Sequence, residues 1–276
     1  MEHKAGKIGI FDSGYGGLTI LKGIRRALPQ YDYLYLGDNA RAPYGSRSFD
    51  VVYEFTLQAV EELFDRGCPL VILACNTASA KALRSIQQND VPRIDPTRRV
   101  LGVIRPTVEA LDAVTDSRHI GVLATPGTVK SHSYTMEVGK LYPEMIVTEQ
   151  ACPMWVPLVE NNEALSPGAD YFVEKYINSI MLTDPMIDTL VLGCTHYPLL
   201  LPKLEMYAPP GVRILPQGDL VAESLRNYLA RHPDIVSRCS QNGTVEYLTT
   251  ENTDKFDDLA SLFMGQTVKS TKITLT

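Results

Sequence analysis

The sequence predicts an α/β protein of two similar halves, each with a mainly parallel sheet flanked by helices. Two observations lead to this class. Short apolar runs alternate with segments of helical periodicity, which is typical of βα units. A strand that ends in a cysteine also occurs twice, at residues 71–75 and 190–194. Both thiols are therefore expected at the carboxyl ends of strands, where open α/β sheets bind their ligands.

Composition narrows the class of protein further. A chain of 276 residues fits two medium domains better than one, and a hydrophobic content of 45% allows a sizeable core. The net charge of −6 argues against nucleic acid or a membrane surface as the main partner. No apolar run is long enough to cross a bilayer, and the N-terminus lacks the apolar region of a signal peptide. We therefore expect a cytoplasmic protein.

The first half begins with a strand at residues 7–11 that runs into the glycine-rich stretch 12–17. This stretch is not a dinucleotide fingerprint, because Thr19 stands where that motif needs glycine. It instead predicts a loop whose backbone N–H groups face an anion, while the Asp12 carboxylate would suit a cation. Further strands at 33–36 and 71–74, with a helix over 49–66 between them, predict a parallel sheet.

Domain boundaries follow from polar and proline-rich segments. Residues 91–99 predict the first crossing between domains, and the Pro-Pro-Gly sequence at 209–211 predicts the return. One domain is then 1–97 with 211–276, and the other is 98–210. In the second domain, strands are expected at residues 100–104, 119–123, 145–149 and 190–193. The apolar run 8–11 resembles 120–123, which lies 112 residues later, and this echo supports two similar halves.

The chemistry of the chain depends on the two strand-end thiols, Cys75 and Cys194. One such cysteine alone would usually be buried filler, but a matched pair beside hydroxyl and amide groups indicates function. A nucleophilic hydrolase could use Cys194 with His196 as its base, and it would leave Cys75 without a role. Zinc could be held by these three side chains, although the local spacing does not favour it. A pair of thiols suits another reaction, in which one removes a proton and the other delivers one, inverting a stereocentre.

Five motifs, in order along the chain, closely resemble those of the glutamate racemase family. The match runs from about residue 8 to residue 250. The motifs are FDSGYGGLT at residues 11–19, PYG at 43–45, ACNTA at 74–78, ACP at 151–153 with VPLVE at 156–160, and GCTHYPL at 193–199.

This resemblance implies a cofactor-independent racemase that interconverts L- and D-glutamate, with D-glutamate supplying peptidoglycan synthesis. It implies an active site in the cleft between two α/β domains, and no metal. Cys75 and Cys194 match the acid/base thiols, the first acting on D-glutamate and the second on L-glutamate. Asp12, Glu160 and His196 match polar groups that assist them. The substrate-binding positions that match are Asp12, Ser13, Tyr44, Gly45, Asn76, Thr77, Thr195 and His196. Glutamate is then the small-molecule partner, and a homodimer is expected.

Several alternatives stay open at the level of sequence. Asp12 could hold the substrate ammonium, hold a thiol proton, or cap the first helix. The substrate could be a related amino acid such as aspartate, since one methylene changes a pocket modestly. A non-catalytic amino-acid sensor and a metal-dependent enzyme also remain. Three other cysteines are expected to be structural: Cys68 at a helix end, Cys152 in the core and Cys239 on the surface.

Overall fold

A computed structural model describes residues 5–276 of the chain. The chain divides into two compact units, Met1–Val103 with Gly218–Thr276, and Ile104–Gln217. Each unit contains a parallel sheet flanked by helices, so the predicted α/β class with parallel sheets is confirmed. Among the helices at residues 5–276, none is both long and apolar enough to span a bilayer.

The strands are numbered in chain order. In the first unit the sheet order is β10-β9-β2-β1-β3-β4, and in the second it is β6-β5-β7-β8, with every described pairing parallel. Their bounds are β1 Ile8–Asp12, β2 Tyr33–Gly37, β3 Leu70–Leu73, β4 Arg99–Gly102, β5 His119–Ala124, β6 Ile146–Ala151, β7 Thr189–Gly193, β8 Arg213–Leu215, β9 Val245–Thr249 and β10 Ser270–Lys272.

Helices cover the faces of both sheets. Helix α1 shows the sequence logic: its buried residues recur every three or four positions, and it ends before Pro29. The α-helices are α1 Gly17–Ala27, α2 Phe49–Asp65, α3 Asn76–Lys81, α4 Leu83–Ser85, α5 Val91–Ile94, α6 Ile104–Glu109, α7 Pro126–Ser131, α8 Ser133–Leu141, α9 Trp155–Glu160, α10 Pro167–Thr183, α11 Leu201–Tyr207, α12 Gly218–Arg231, α13 Pro233–Val236 and α14 Thr253–Met264.

Both predicted domain boundaries differ from the observed ones. The strand placed in the second domain by sequence, β4, pairs with β3 in the first sheet, and β8 pairs with β7 in the second. The chain therefore passes from one unit to the other after Val103 and after Gln217, instead of after residues 97 and 210. The reason is that the prolines of residues 91–99 start a short helix and a turn inside the first unit. Backbone pairing decides which unit a strand joins, and composition does not report it.

The central strands of both sheets are buried along their whole length. Every residue of β1, β2, β3 and β7 is buried, as expected for parallel strands that have helices on both faces. Because β2, β1 and β3 are neighbours, the residues that follow them meet at one edge of the first sheet. The residues that follow β6, β5 and β7 meet at the corresponding edge of the second sheet.

Cys239 was expected on the surface, and this expectation is wrong. Its thiol is 5% exposed. The segment around Cys239 forms a bridge with Gly6, and the N–H of Ser240 donates to the Gly6 carbonyl at 2.8 Å. The polarity of residues 231–243 predicted an exposed loop. Cys239 lies in this segment, and the backbone bridge to Gly6 keeps it buried.

Candidate active site

The first thiol lies between the end of β3 and the start of α3. The Cys75 Sγ accepts a hydrogen bond from the backbone N–H of Ala78 at 3.4 Å, so it caps α3. The Ser13 hydroxyl, which follows β1, lies 3.4 Å from the same sulfur. Cys75 is buried. A backbone N–H and a hydroxyl are thus both within hydrogen-bonding distance of this sulfur.

Asp12 ends β1 on the strand beside the first thiol and is fully buried. Its carboxylate accepts the backbone N–H of Gly14 at 2.9 Å. Helix α1 begins at Gly17, and Gly16 is its N-cap residue. A Cβ at Gly17 would lie 2.5 Å from the Asp12 Cβ, and the close approach of α1 to Asp12 therefore requires glycine there.

Asn76 and Thr77 follow the first thiol as the first two residues of α3, and both are buried. Together with Asp12, Ser13 and Cys75 they lie at the carboxyl ends of the neighbouring strands β1 and β3. We call these five residues the first thiol site. The structure thus brings together five of the residues that the sequence singled out.

Tyr44 lies in the loop after β2, and its hydroxyl is engaged inside the protein. It donates to the Asp38 carboxylate, which also accepts from Arg41 Nε at 2.6 Å and from the Thr250 hydroxyl at 2.9 Å. Burial, and then the charge of Asp38, raise the pKa of Tyr44 far above its usual value. The Tyr44 hydroxyl therefore anchors the loop that carries the half-buried Gly45.

The second thiol directly follows β7 and has a charged partner. The Cys194 Sγ lies 3.9 Å from Nδ1 of His196, whose Nε2 lies 3.1 Å from the Glu160 carboxylate. Burial alone would lower the pKa of His196. The hydrogen bonds and the negative charges of Cys194 and Glu160 outweigh burial and raise the pKa of His196 to about 10. The imidazole is thus protonated at neutral pH and can donate to the sulfur.

Helix α9 brings Glu160, its last residue, to His196. The Trp155 ring at the start of α9 packs edge-on against Tyr197, with ring centroids 4.8 Å apart. The Tyr197 hydroxyl donates to the Cys152 carbonyl at 3.2 Å, which ties the segment after the thiol to the segment before α9. Thr195, between the thiol and the histidine, is buried. We call Glu160, Cys194, Thr195 and His196 the second thiol site.

Two threonines that the sequence did not single out lie at the same edge of the second sheet. Thr125 follows β5, the neighbour of β7, and its hydroxyl accepts from the N–H of Thr128 at 3.4 Å. The two hydroxyl oxygens are 3.1 Å apart. The echo between residues 8–11 and 120–123 contained a signal for Thr125, because the offset of 112 residues places Thr125 at the position of Ser13. Across residues 5–276, no group of three or more His, Cys, Asp or Glu side chains is arranged to hold a metal ion.

Each parallel α/β unit thus carries a buried thiol that follows a strand and lies within 4 Å of a hydrogen-bonding group. The family model of the Asp/Glu/Hydantoin racemases matches residues 14–225, which include both thiols. The chain belongs to this family and is an enzyme of it.

Individual relatives support the same assignment along nearly the whole chain. The glutamate racemase of Ruegeria sp. (strain TM1040) is 38% identical over 271 residues, covering 95% of this chain and 97% of the relative. A glutamate racemase isoform from Bacillus anthracis has a similar structure, with a TM-score of 0.90, 33% identity and 99% coverage of both chains. The glutamate racemase of Francisella tularensis, solved in complex with D-glutamate, matches with a TM-score of 0.87, 28% identity, and coverage of 100% of this chain and 99% of its own.

Proposed function

We propose that this protein is a cofactor-independent glutamate racemase in which Cys75 and Cys194 exchange the Cα proton of one bound substrate. The observation that carries the proposal is the equivalent placement of the two thiols. Each follows a buried strand of a parallel sheet, and each has a hydrogen-bonding partner within 4 Å. The motif resemblance and the family membership support the same reaction.

In the direction from L-glutamate, the thiolate of Cys194 removes the Cα proton and becomes a thiol. The protonated His196 stabilises that thiolate beforehand, and Glu160 in turn holds the imidazolium. The Cys75 thiol then gives its own proton to the opposite face of Cα, which leaves a thiolate at Cys75 and D-glutamate. The reverse reaction begins from that thiolate. No atom other than hydrogen is exchanged, and the mechanism requires both sulfurs to reach one Cα.

The carbanion between these steps needs stabilisation by fixed donors, because no cofactor spreads its charge. We propose that hydroxyl and amide groups of the two thiol sites bind the substrate carboxylates, together with the loop of Tyr44 and Gly45. The groups that we propose are Ser13, Asn76, Thr77 and Thr195. We also include Thr125 and Thr128, because they lie at the same edge of the second sheet as Cys194. Donors that are already in place when charge develops are the strongest source of such stabilisation. Asp12 is proposed to accept from the substrate ammonium.

We propose glutamate as the substrate because the relatives described above are all named glutamate racemases. Aspartate is the alternative, because a pocket discriminates a single methylene by only about 10- to 200-fold. The proposal therefore predicts turnover of both amino acids at unequal rates, with glutamate faster. Circular dichroism with each pure enantiomer would measure both rates, and faster turnover of aspartate would reject glutamate as the substrate.

The decisive experiment is hydrogen exchange in heavy water. Incubation with L-glutamate should place deuterium at Cα of the D-glutamate formed, measured by mass spectrometry after separation of the enantiomers. Binding of glutamate without any deuterium in either enantiomer would support an amino-acid sensor instead. A sample treated with chelator serves as the control, because full activity there rejects a metal-dependent mechanism.

The motif resemblance also supports three proposals about context. D-glutamate from this enzyme would supply peptidoglycan synthesis, the enzyme would work in the cytoplasm, and it would form a homodimer. Sedimentation at micromolar concentration would test the last of these, and a monomer there would reject it.

A further inference from the structure

A buried tyrosine lies against the backbone just before the second thiol. Tyr134, in α8, is fully buried. A Cβ built on Gly193 would lie 3.3 Å from Cε2 of this ring. The same Cβ would lie 3.1 Å from the Leu123 carbonyl and from the Ala124 Cβ of β5. The ring of Tyr134 and strand β5 therefore enclose Gly193, and Cys194 is the next residue.

The hydroxyl of Tyr134 is held by the last residue of the second unit. The Gln217 side-chain amide donates to the Tyr134 hydroxyl at 2.8 Å and to the Thr107 hydroxyl, also at 2.8 Å. All three side chains are buried. Thr107 lies near the first residue of this unit, and Gln217 is its last. One amide thus connects the beginning and the end of the second unit to the ring beside the second thiol.

The electrostatics of the ring agree with its location. Burial raises the pKa of Tyr134 well above its usual value, and the negative charges of Glu149 and Cys194 add to this rise, while hydrogen bonds to Gln217 and Thr107 oppose it. The hydroxyl is therefore neutral at every pH at which the protein works. It is also close enough to the second thiol to interact with the charge on that sulfur.

We propose that Tyr134 is a positioning residue for Cys194, and that Gln217 holds Tyr134 in place. The inference rests on the proposed racemase function. The physical reason is the geometry of the second thiol site, where the sulfur and His196 Nδ1 are 3.9 Å apart. A shift of the Gly193 backbone changes that distance directly, and small errors in the placement of reacting groups lower rates strongly.

The test compares Tyr134→Phe and Gln217→Met with the control Tyr142→Phe. Tyr134→Phe keeps the ring beside Gly193 and removes the hydroxyl that Gln217 holds. Tyr142 donates its hydroxyl to the Glu109 carbonyl at 3.0 Å in an exposed contact of the same unit. Both test variants should lower kcat by roughly 10- to 100-fold with a smaller change in KM, because the placement of a reacting group is altered. Tyr142→Phe should leave kcat unchanged.

A second measurement does not depend on racemase activity. Alkylation by iodoacetamide at neutral pH, followed at each cysteine by peptide mass spectrometry, should slow several-fold at Cys194 in both test variants and stay unchanged at Cys75. If the protein does not racemise glutamate, this comparison still tests the positioning of Cys194. The proposal is overturned if both variants keep wild-type kcat and wild-type alkylation of Cys194. It is also overturned if both thiols slow equally together with a lower Tm, because that result indicates a general loss of stability.

Discussion

The first and second thiol sites occupy equivalent places in their sheets and differ in how they stabilise sulfur. Cys75 is bound by the Ala78 N–H and the Ser13 hydroxyl, which are both neutral groups. Cys194 faces an imidazole that is protonated at neutral pH and that Glu160 holds from its other side. The described contacts of the two sulfurs therefore differ: a backbone N–H and a hydroxyl at Cys75, and a histidine held by a carboxylate at Cys194.

The difference shows that two thiols at equivalent strand ends can have different hydrogen-bonding partners. In the first unit the N–H of Ala78, in the first turn of α3, donates to the sulfur. In the second unit the chain after the thiol forms a 3₁₀ turn at Tyr197–Leu200. The thiol's partner is His196, and the carboxylate that holds His196 comes from α9, far away in sequence. In the proposed mechanism each thiol alternates between proton donor and proton acceptor, and different partners allow the pKa of each to be tuned separately. Four experiments test whether the two thiol sites differ in this way.

The largest effect is expected from the thiols themselves. Cys75→Ala and Cys194→Ala should each lower racemisation by about a thousandfold or more, because each removes a group that transfers a proton. Circular dichroism of the fold should stay unchanged. Cys239→Ala is the control, since Cys239 lies outside both thiol sites, and it should racemise at the wild-type rate. Turnover near wild type from either site variant would contradict a mechanism that needs both sulfurs.

A glycine substitution tests how closely each site is packed. In Gly17→Ala the new Cβ would lie 2.5 Å from Asp12, and overpacking of this kind costs roughly 1 to 3 kcal/mol. Gly193→Ala places its Cβ no closer than 3.1 Å to neighbouring atoms and should cost less. Gly139→Ala, in the exposed part of α8 with nothing within 4 Å, should stabilise by about 0.5 to 1 kcal/mol. Urea unfolding measures all three, and a reversed order of Gly17 and Gly193 would reject the tighter packing of the first site.

The ion pair of the second site should make stability depend on pH. The pKa of His196 rises from 6.5 to about 10 on folding, so folding favours the protonated form. Its contribution is complete below pH 6.5 and is lost as the pH rises toward 10, by at most about 1.4 kcal/mol per pH unit. Urea unfolding across this window should show a shallower slope in His196→Asn and Glu160→Gln, and the wild-type slope in Ser13→Ala. Equal slopes in all four proteins would show that His196 gains no proton affinity on folding.

The smallest effect is expected at the hydroxyl beside the first thiol. Ser13→Ala removes the hydroxyl that lies 3.4 Å from the Cys75 sulfur, and a neutral hydrogen bond contributes about 1 kcal/mol, or roughly fivefold in rate. Ser48→Ala is a matched control in the same unit, because Ser48 caps α2 and should affect stability without affecting kcat. A loss of kcat from Ser13→Ala as large as that from Cys75→Ala would mean that Ser13 does more than donate one neutral hydrogen bond to the first thiol.

Much of the fold could be predicted because its signals are local. Apolar runs and helical periodicity placed the central strands and α1, α2 and α12 within a few residues, since burial on both faces of a parallel sheet requires continuous apolar segments. The domain boundaries could not be predicted this way. Pro92 looked like a break between domains and instead begins α5 inside the first unit.

The candidate sites likewise contain some contacts that could be predicted from the sequence and others that could not. Cys75, Asn76 and Thr77 lie together because they are consecutive, so their proximity was already present in the sequence. The Tyr44 hydroxyl donates to Asp38, and this interaction between a loop and a strand end could not be predicted from a local pattern. Thr125 and Thr128 were missed because a hydroxyl after a strand is common, and only strand order places these two beside β7.

The strand-end positions of Cys75 and Cys194, the α/β class and the family could be read from the chain, because they depend on residue order and apolar pattern. The contacts between the Glu160 carboxylate and His196, and between Gln217 and both Thr107 and Tyr134, became visible only in the folded protein. Each is a distance of about 3 Å between segments that are far apart along the chain, and such distances are set only when helices and strands pack.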